Sequence, residues 1–167
     1  LDRFHVSTTG NYTWSAADVM AGSRYAYVAT TGGLTVLDMT MPRQPETVGS
    51  VALNSIPYDS NDPLPRMTRL GQFAFLSDPI GRLTAINVSD PRAPHIARSF
   101  YVGFGGIEDL TAINGRLYLA RGAGGLTTMD VSEPANPSTL GNYTQAGAVS
   151  GVVVQDTYAY LAAKFTG

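Results

Sequence analysis

A four-stranded unit that recurs about every 43 residues predicts an all-β chain built as a β-propeller. Three observations carry that expectation. Aromatic strand residues, a turn carboxylate or amide and a Pro-x-x-Pro stretch return in one register. Eighteen Gly and ten Pro supply many tight turns. No stretch carries the apolar period of a helix.

The first unit runs from residues 25–29 (Tyr-Ala-Tyr-Val-Ala) through 33–38 (Gly-Leu-Thr-Val-Leu-Asp) to Pro42 and Pro45. The second runs from 73–77 (Phe-Ala-Phe-Leu-Ser) through 82–87 (Arg-Leu-Thr-Ala-Ile-Asn) to Pro91 and Pro94. The third runs from 116–120 (Arg-Leu-Tyr-Leu-Ala) through 125–130 (Gly-Leu-Thr-Thr-Met-Asp) to Pro134 and Pro137. A fourth copy begins at 158–162 (Tyr-Ala-Tyr-Leu-Ala). Asp38, Asn87 and Asp130 stand 49 and 43 residues apart, as do Pro42, Pro91 and Pro134. Tyr27, Phe75, Tyr118 and Tyr160 stand 48, 43 and 42 apart, and an insertion at 55–65 lengthens the first interval.

Within the third unit, an apolar segment at 110–113 meets Asn114-Gly115, a hairpin signal that needs positive φ. Strands at 116–120 and 126–131 flank a Gly-rich turn, and a last strand is expected near 138–144. Pro134 and Pro137 fix φ and lack an N–H, so they mark a rigid connection. Asp38, Asn87 and Asp130, each four residues before a proline, are expected to accept backbone N–H bonds of that turn. A sandwich or barrel also uses many short strands, but a fixed period with four strands per period favours blades. Blades are covered on both faces, which accounts for the apolar runs at 26–29 and 117–120.

The units resemble the LVIVD repeat, a bacterial and archaeal propeller repeat. Residues 25–29 with 33–38 carry the likeness, as do Asn87-Val88-Ser89-Asp90-Pro91 with Pro94 and Asp130-Val131-Ser132-Glu133-Pro134 with Pro137. The first unit departs with Met39-Thr40-Met41 in place of Val-Ser-Asp, and the second with Asn87 in place of Asp. The resemblance implies a surface-exposed or secreted protein and no shared catalytic set. A Trp-Asp repeat is disfavoured, because Trp14 is the one tryptophan. Counting backwards sets Phe4 where Val51, Phe100 and Tyr143 stand, so residues 2–8 are expected to form an outer strand. The expected blades are 16–53, 66–101 and 109–144, with a shared or partial blade from 151–167 and 1–8. Since the chain opens Leu1-Asp2-Arg3, a processed or excised segment is expected, with the natural protein continuing on both sides.

A net charge of −2 without a basic cluster argues against nucleic acid. No apolar run reaches the ~20 residues of a membrane helix. Absence of Cys removes disulfides, thiolate zinc sites and thiol catalysis without fixing the compartment. His5 and His95 are expected on the propeller rim in a structural or solvent role. Neither sits in a metal-ligand pair or near a candidate nucleophilic Ser.

Residues leading into the first strand of each blade should face one mouth of the central channel. They are Asp18, Arg66, Glu108 with Asp109, and Ser150. An Arg among carboxylates suits a polar ligand, whereas pairing within the channel is the structural alternative. Asp59, Asn61 and Asp62 in the insertion carry oxygen ligands at a calcium-like spacing. The EF-hand Gly and distal Glu are missing, and Pro63 and Pro65 stiffen the loop, so a polar turn is expected there, with calcium the alternative. Asp78, Arg121 and Lys164 end second strands and read as solvated charges. Asn11, Asn87 and Asn142 satisfy the glycosylation sequon. Tyr101 and Tyr143 read as ordinary outer-strand residues, with interface anchoring the alternative.

The expected function is a non-catalytic propeller module of a secreted or cell-surface protein, contacting protein or glycan through channel-mouth loops. No cofactor is expected. The alternative is a fragment of a propeller enzyme, a hydrolase or lyase, with its site at that mouth. A companion expectation is that unpaired blade edges join further blades of the same parent or another copy.

Overall fold

The apolar runs and turn residues resolve into fourteen strands and no helix among the residues that the computed structural model describes, which are 16–53, 64–103, 106–144 and 147–164. The first sheet holds β1 (Ala16–Ala21), β2 (Tyr25–Thr30), β3 (Gly33–Asp38) and β4 (Glu46–Ala52), paired antiparallel in chain order. The second holds β5 (Met67–Leu70), β6 (Phe73–Ser77), β7 (Arg82–Asn87) and β8 (His95–Tyr101), and the third β9 (Asp109–Ile113), β10 (Arg116–Ala120), β11 (Leu126–Asp130) and β12 (Ser138–Tyr143). A two-stranded sheet of β13 (Ala148–Gln155) and β14 (Tyr158–Lys164) follows. Residues 1–8, expected to contribute an outer strand, lie outside the described residues.

These sheets are successive blades of a β-propeller. The first strands lie side by side, β1 against β5, β5 against β9 and β9 against β13. Tyr27, Phe75 and Tyr118 occupy the same place in successive sheets, each third in its second strand and opposite Met20, Thr68 and Thr111. Bulges repeat too. The third-to-fourth strand pairing slips between Val36 and Leu37, between Ala85 and Ile86, and between Thr128 and Met129. Each bulge bends the outer strand and increases its twist at one height in the blade.

Turn chemistry repeats with the same fidelity. Asn114 and Gly115 have φ of 51° and 74°, as a two-residue hairpin with both central residues left-handed requires. Past the third strand, the N–H groups of Met39, Val88 and Val131 donate to the carbonyls of Arg24, Gln72 and Gly115 at 2.7, 2.8 and 2.8 Å. The side-chain oxygens of Asp38, Asn87 and Asp130 accept from the N–H two residues on, each at 2.9 Å. That short acceptor lets the chain reverse direction ahead of the prolines.

Most of the core lies between blades, beside a small cluster of Ala26, Val28 and Leu37 on the first blade alone. Tyr27, Ala29, Leu34 and Val36 of the first blade pack with Met67, Ala74, Leu76, Ile86 and Val88 of the second. Phe75, Leu83 and Ala85 pack with Ile107, Leu110, Leu117 and Leu119 of the third blade, and Ala120 and Leu126 with Val149 and Val152 of the last. Each large side chain so buried contributes roughly 1.5–3 kcal/mol. Farther out, Gly49 lies against the Pro91–Pro94 turn of the second blade, where a Cβ would collide with the Pro91 carbonyl.

Candidate functional site

Asp18, Arg66, Glu108, Asp109 and Ser150 all sit at the leading ends of the inner strands, where each turns towards the neighbouring blade. Asp18 follows a bulge in β1 and faces both ways. Its Oδ1 accepts the N–H of Val19 at 2.8 Å, and its Oδ2 accepts the N–H of Met67 in the second blade at 2.9 Å. Asp109 repeats the arrangement two interfaces on, accepting from Leu110 at 2.9 Å and from Val152 of the last sheet at 2.9 Å. In the second blade Arg66 occupies that register and bridges by donation, from Nε to the Glu108 carbonyl at 3.1 Å. Thr68 adds an acceptor for the Ala112 N–H at 3.2 Å. Ser150 is the extra residue of the β13 bulge, exposed, with its hydroxyl donating to the Ala162 carbonyl at 3.3 Å. The structure thus gathers these residues at one end of the axis and joins three of them to the next blade.

The consequence is measurable. Asp18→Ala strands the N–H of Met67, a residue only 5% exposed, and is expected to cost about 1–3 kcal/mol. Asp18→Asn keeps an accepting oxygen and should cost much less. Hydrogen exchange reads the difference at the Met67 amide, which should speed up in the alanine variant alone; an unchanged rate there would refute the bridging role.

Other singled-out residues fall elsewhere. His95 opens an outer strand, exposed, with Nδ1 3.4 Å from the Ala93 carbonyl. Among the described residues no three of His, Cys, Asp and Glu gather as metal ligands. His5 and the insertion's Asp59, Asn61 and Asp62 lie outside the described residues. Tyr101 and Tyr143 are exposed on outer strands. Asp78 corrects an expectation, because it is buried instead of solvated. Its Oδ1 accepts from Ile80 at 3.1 Å and from the Arg82 N–H at 2.9 Å, while Oδ2 pairs with the Arg82 guanidinium at 2.8 Å. Arg82 of that turn stands where Gly33 opens β3 in the first blade and Gly125 precedes β11 in the third.

Two residues that sequence reasoning passed over stand at the opposite end of the strands. Arg24, in the β1–β2 turn, stacks on Tyr25 with its guanidinium carbon 5.2 Å from the ring centre. Its Nε and Nη2 donate to Asp38 at 3.1 and 2.7 Å. The guanidinium, with the Thr40 hydroxyl and N–H, holds the Asp38 carboxyl far below the usual carboxylate range, and Asp38 in turn raises the Arg24 pKa. From the second blade Arg69 stacks across the interface on Tyr27, 5.1 Å from its centre. Both arginines line a cleft of about 240 Å³ between the first two blades. Comparing units position by position would have flagged them, since Arg24 aligns with Gln72 and Gly115, and Arg69 with Ala21 and Ala112.

Sheets of this design, stacked by their flanks about an axis, define a β-propeller repeat protein. The LVIVD repeat model matches residues 13–52 and 107–145, which are the first and third units. No curated protein matches the chain. Among solved structures, the computationally designed Ika4 protein aligns with a TM-score of 0.71 at 11% identity, covering 98% of this chain and 94% of Ika4. BamB from Moraxella catarrhalis aligns with a TM-score of 0.65 at 16% identity, covering 87% of this chain. The computationally designed Ika8 protein aligns with a TM-score of 0.66 at 7% identity, again covering 87% of this chain. The chain spans 39% of the BamB chain and 42% of the Ika8 chain. At these identities the likeness is one of fold.

Proposed function

We propose that this chain is a non-catalytic propeller module of a secreted or cell-surface protein, making protein or glycan contacts through its channel-mouth loops. One observation carries the reading. The carboxylates best placed for chemistry, Asp18 and Asp109, are each bonded to two backbone N–H groups, one of them in the next blade. A general acid or nucleophile needs an oxygen free to meet substrate, whereas a scaffold needs its blades held. Beside them the Glu108 carboxylate has no partner among the described residues, and the exposed Ser150 hydroxyl, donating to Ala162, can still accept from a partner. The LVIVD likeness supports placement outside the cell.

Binding of the intact chain to arrays of immobilised glycans and of surface proteins tests the proposal. Contacts that weaken in Glu108→Ala or Ser150→Ala, in variants that melt at the parent temperature, support it. Hydrolysis of an aryl glycoside that vanishes in Asp109→Asn, with the fold intact, would establish the enzyme reading instead.

A further inference from the structure

The repeat serves as its own control for the cleft between the first two blades. Every inter-blade junction has the same backbone, so a side chain peculiar to one junction owes little to the fold. At the junction of the second and third blades, Gln72 and Ala112 hold the places of Arg24 and Arg69; at the next, Gly115 and Val154 hold them. Among the described residues, only the first junction carries arginines at both of these places, and both line its cleft.

We propose that this cleft binds one oxyanion group of a ligand, a carboxylate, sulfate or phosphate, on the end-on fork of Arg69, with Arg24 as the second cation. Arg69 is held for the task without being used up. Its ring stack on Tyr27 fixes the plane of the guanidinium, and Nε donates to the Gly71 carbonyl at 2.9 Å. Its Nη1 stands 3.9 Å from where a Cβ on Gly22, another lining residue, would stand. No carboxylate pairs with Arg69 among the described residues. Two parallel N–H groups match two oxygens of a planar or tetrahedral anion. Arg24 spends Nε and Nη2 on Asp38 and keeps Nη1.

The remaining acid nearby stays outside the lining. Asp90 lies between the lining residues Ser89 and Pro91, and its Oδ1 accepts the Arg92 N–H at 2.9 Å. The cleft's lining holds two arginines and no carboxylate, with Asp38 paired to Arg24 and Asp90 exposed beside it. Its size sets the ligand's share. At about 240 Å³ it is smaller than the roughly 300–1,000 Å³ pockets that enclose whole small molecules, so it takes a head group while the rest of the ligand stays outside. This site is at the far end of the strands from Asp18 and Glu108 and does not depend on the channel-mouth reading.

Titration of the intact chain with sodium acetate, sulfate and phosphate in turn, at constant ionic strength and neutral pH, tests the proposal through the Arg69 Nε–Hε resonance. Saturable shifts in the millimolar range are expected for at least one anion. Saturation by acetate alone identifies a carboxylate ligand, and saturation by the tetrahedral anions a sulfate or phosphate. Arg69→Gln should abolish saturation as read at the backbone amides of Gly22 and Gln72. Arg24→Gln should weaken it about 2–5-fold, the loss of one exposed charge. Glu133→Ala, an exposed change in the third blade's turn, should leave it unchanged. Linear, unsaturable shifts with all three anions, or equal saturation in Arg69→Gln, would overturn the proposal.

Discussion

Phe75→Ala is expected to destabilise the protein by about 3–5 kcal/mol, seen as a large drop in the urea midpoint. Phe75 has no exposed surface and projects from the second blade into the third, among Leu117, Leu119, Ile107 and Leu110. Truncation removes the ring's burial and leaves a hole that two rigid sheets, each fixed by its own ladder, cannot close. Folded domains hold only about 5–15 kcal/mol in reserve, so this one side chain is a large fraction of the total. The equivalent Tyr118 is half-buried against the two-stranded sheet, and Tyr118→Ala should cost clearly less. If the two truncations cost the same, or Phe75→Ala costs under about 1 kcal/mol, flank-to-flank burial is not what holds the blades.

Gly125→Ala is expected to cost about 2 kcal/mol or more, against about 1 kcal/mol for Gly71→Ala. Both glycines have positive φ, 73° and 57°, so both substitutions carry the left-handed penalty. At Gly71 nothing lies within 4 Å of the new Cβ. At Gly125 the Cβ would run into the Tyr143 carbonyl, with Thr144 Cα 2.9 Å away, and the β11–β12 ladder must shift to admit it. Thermal unfolding of the two variants isolates that clash. Equal melting temperatures would mean that outer strand yields freely.

The radial stacking was legible because several unlike residues recur in one register, so chance agreement at a single position could not mislead. The turns were legible for a local reason. An Asp or Asn placed just ahead of Pro needs only its own segment to find an N–H, as Asp38, Asn87 and Asp130 do. Asp18 and Asp109 were visible as charges at a strand start, but their bonds run to Met67 and Val152, 49 and 43 residues on. That pairing exists only once neighbouring inner strands are set side by side. Asp78 misled because a carboxylate four residues from Arg82 is ordinary on a surface, and here a tight turn buries it. Arg24 and Arg69 were missed for the same reason as the bridges, since the blade interface alone makes them neighbours.

The most direct measurement of the stacked-blade arrangement is a set of nuclear Overhauser contacts from the Tyr27 and Phe75 rings. The structure predicts cross-peaks from Tyr27 to the methyl groups of Leu76 and Ile86, and from Phe75 to those of Leu117 and Leu119, each in the following blade. Rings that show cross-peaks only to residues of their own sheets would contradict it.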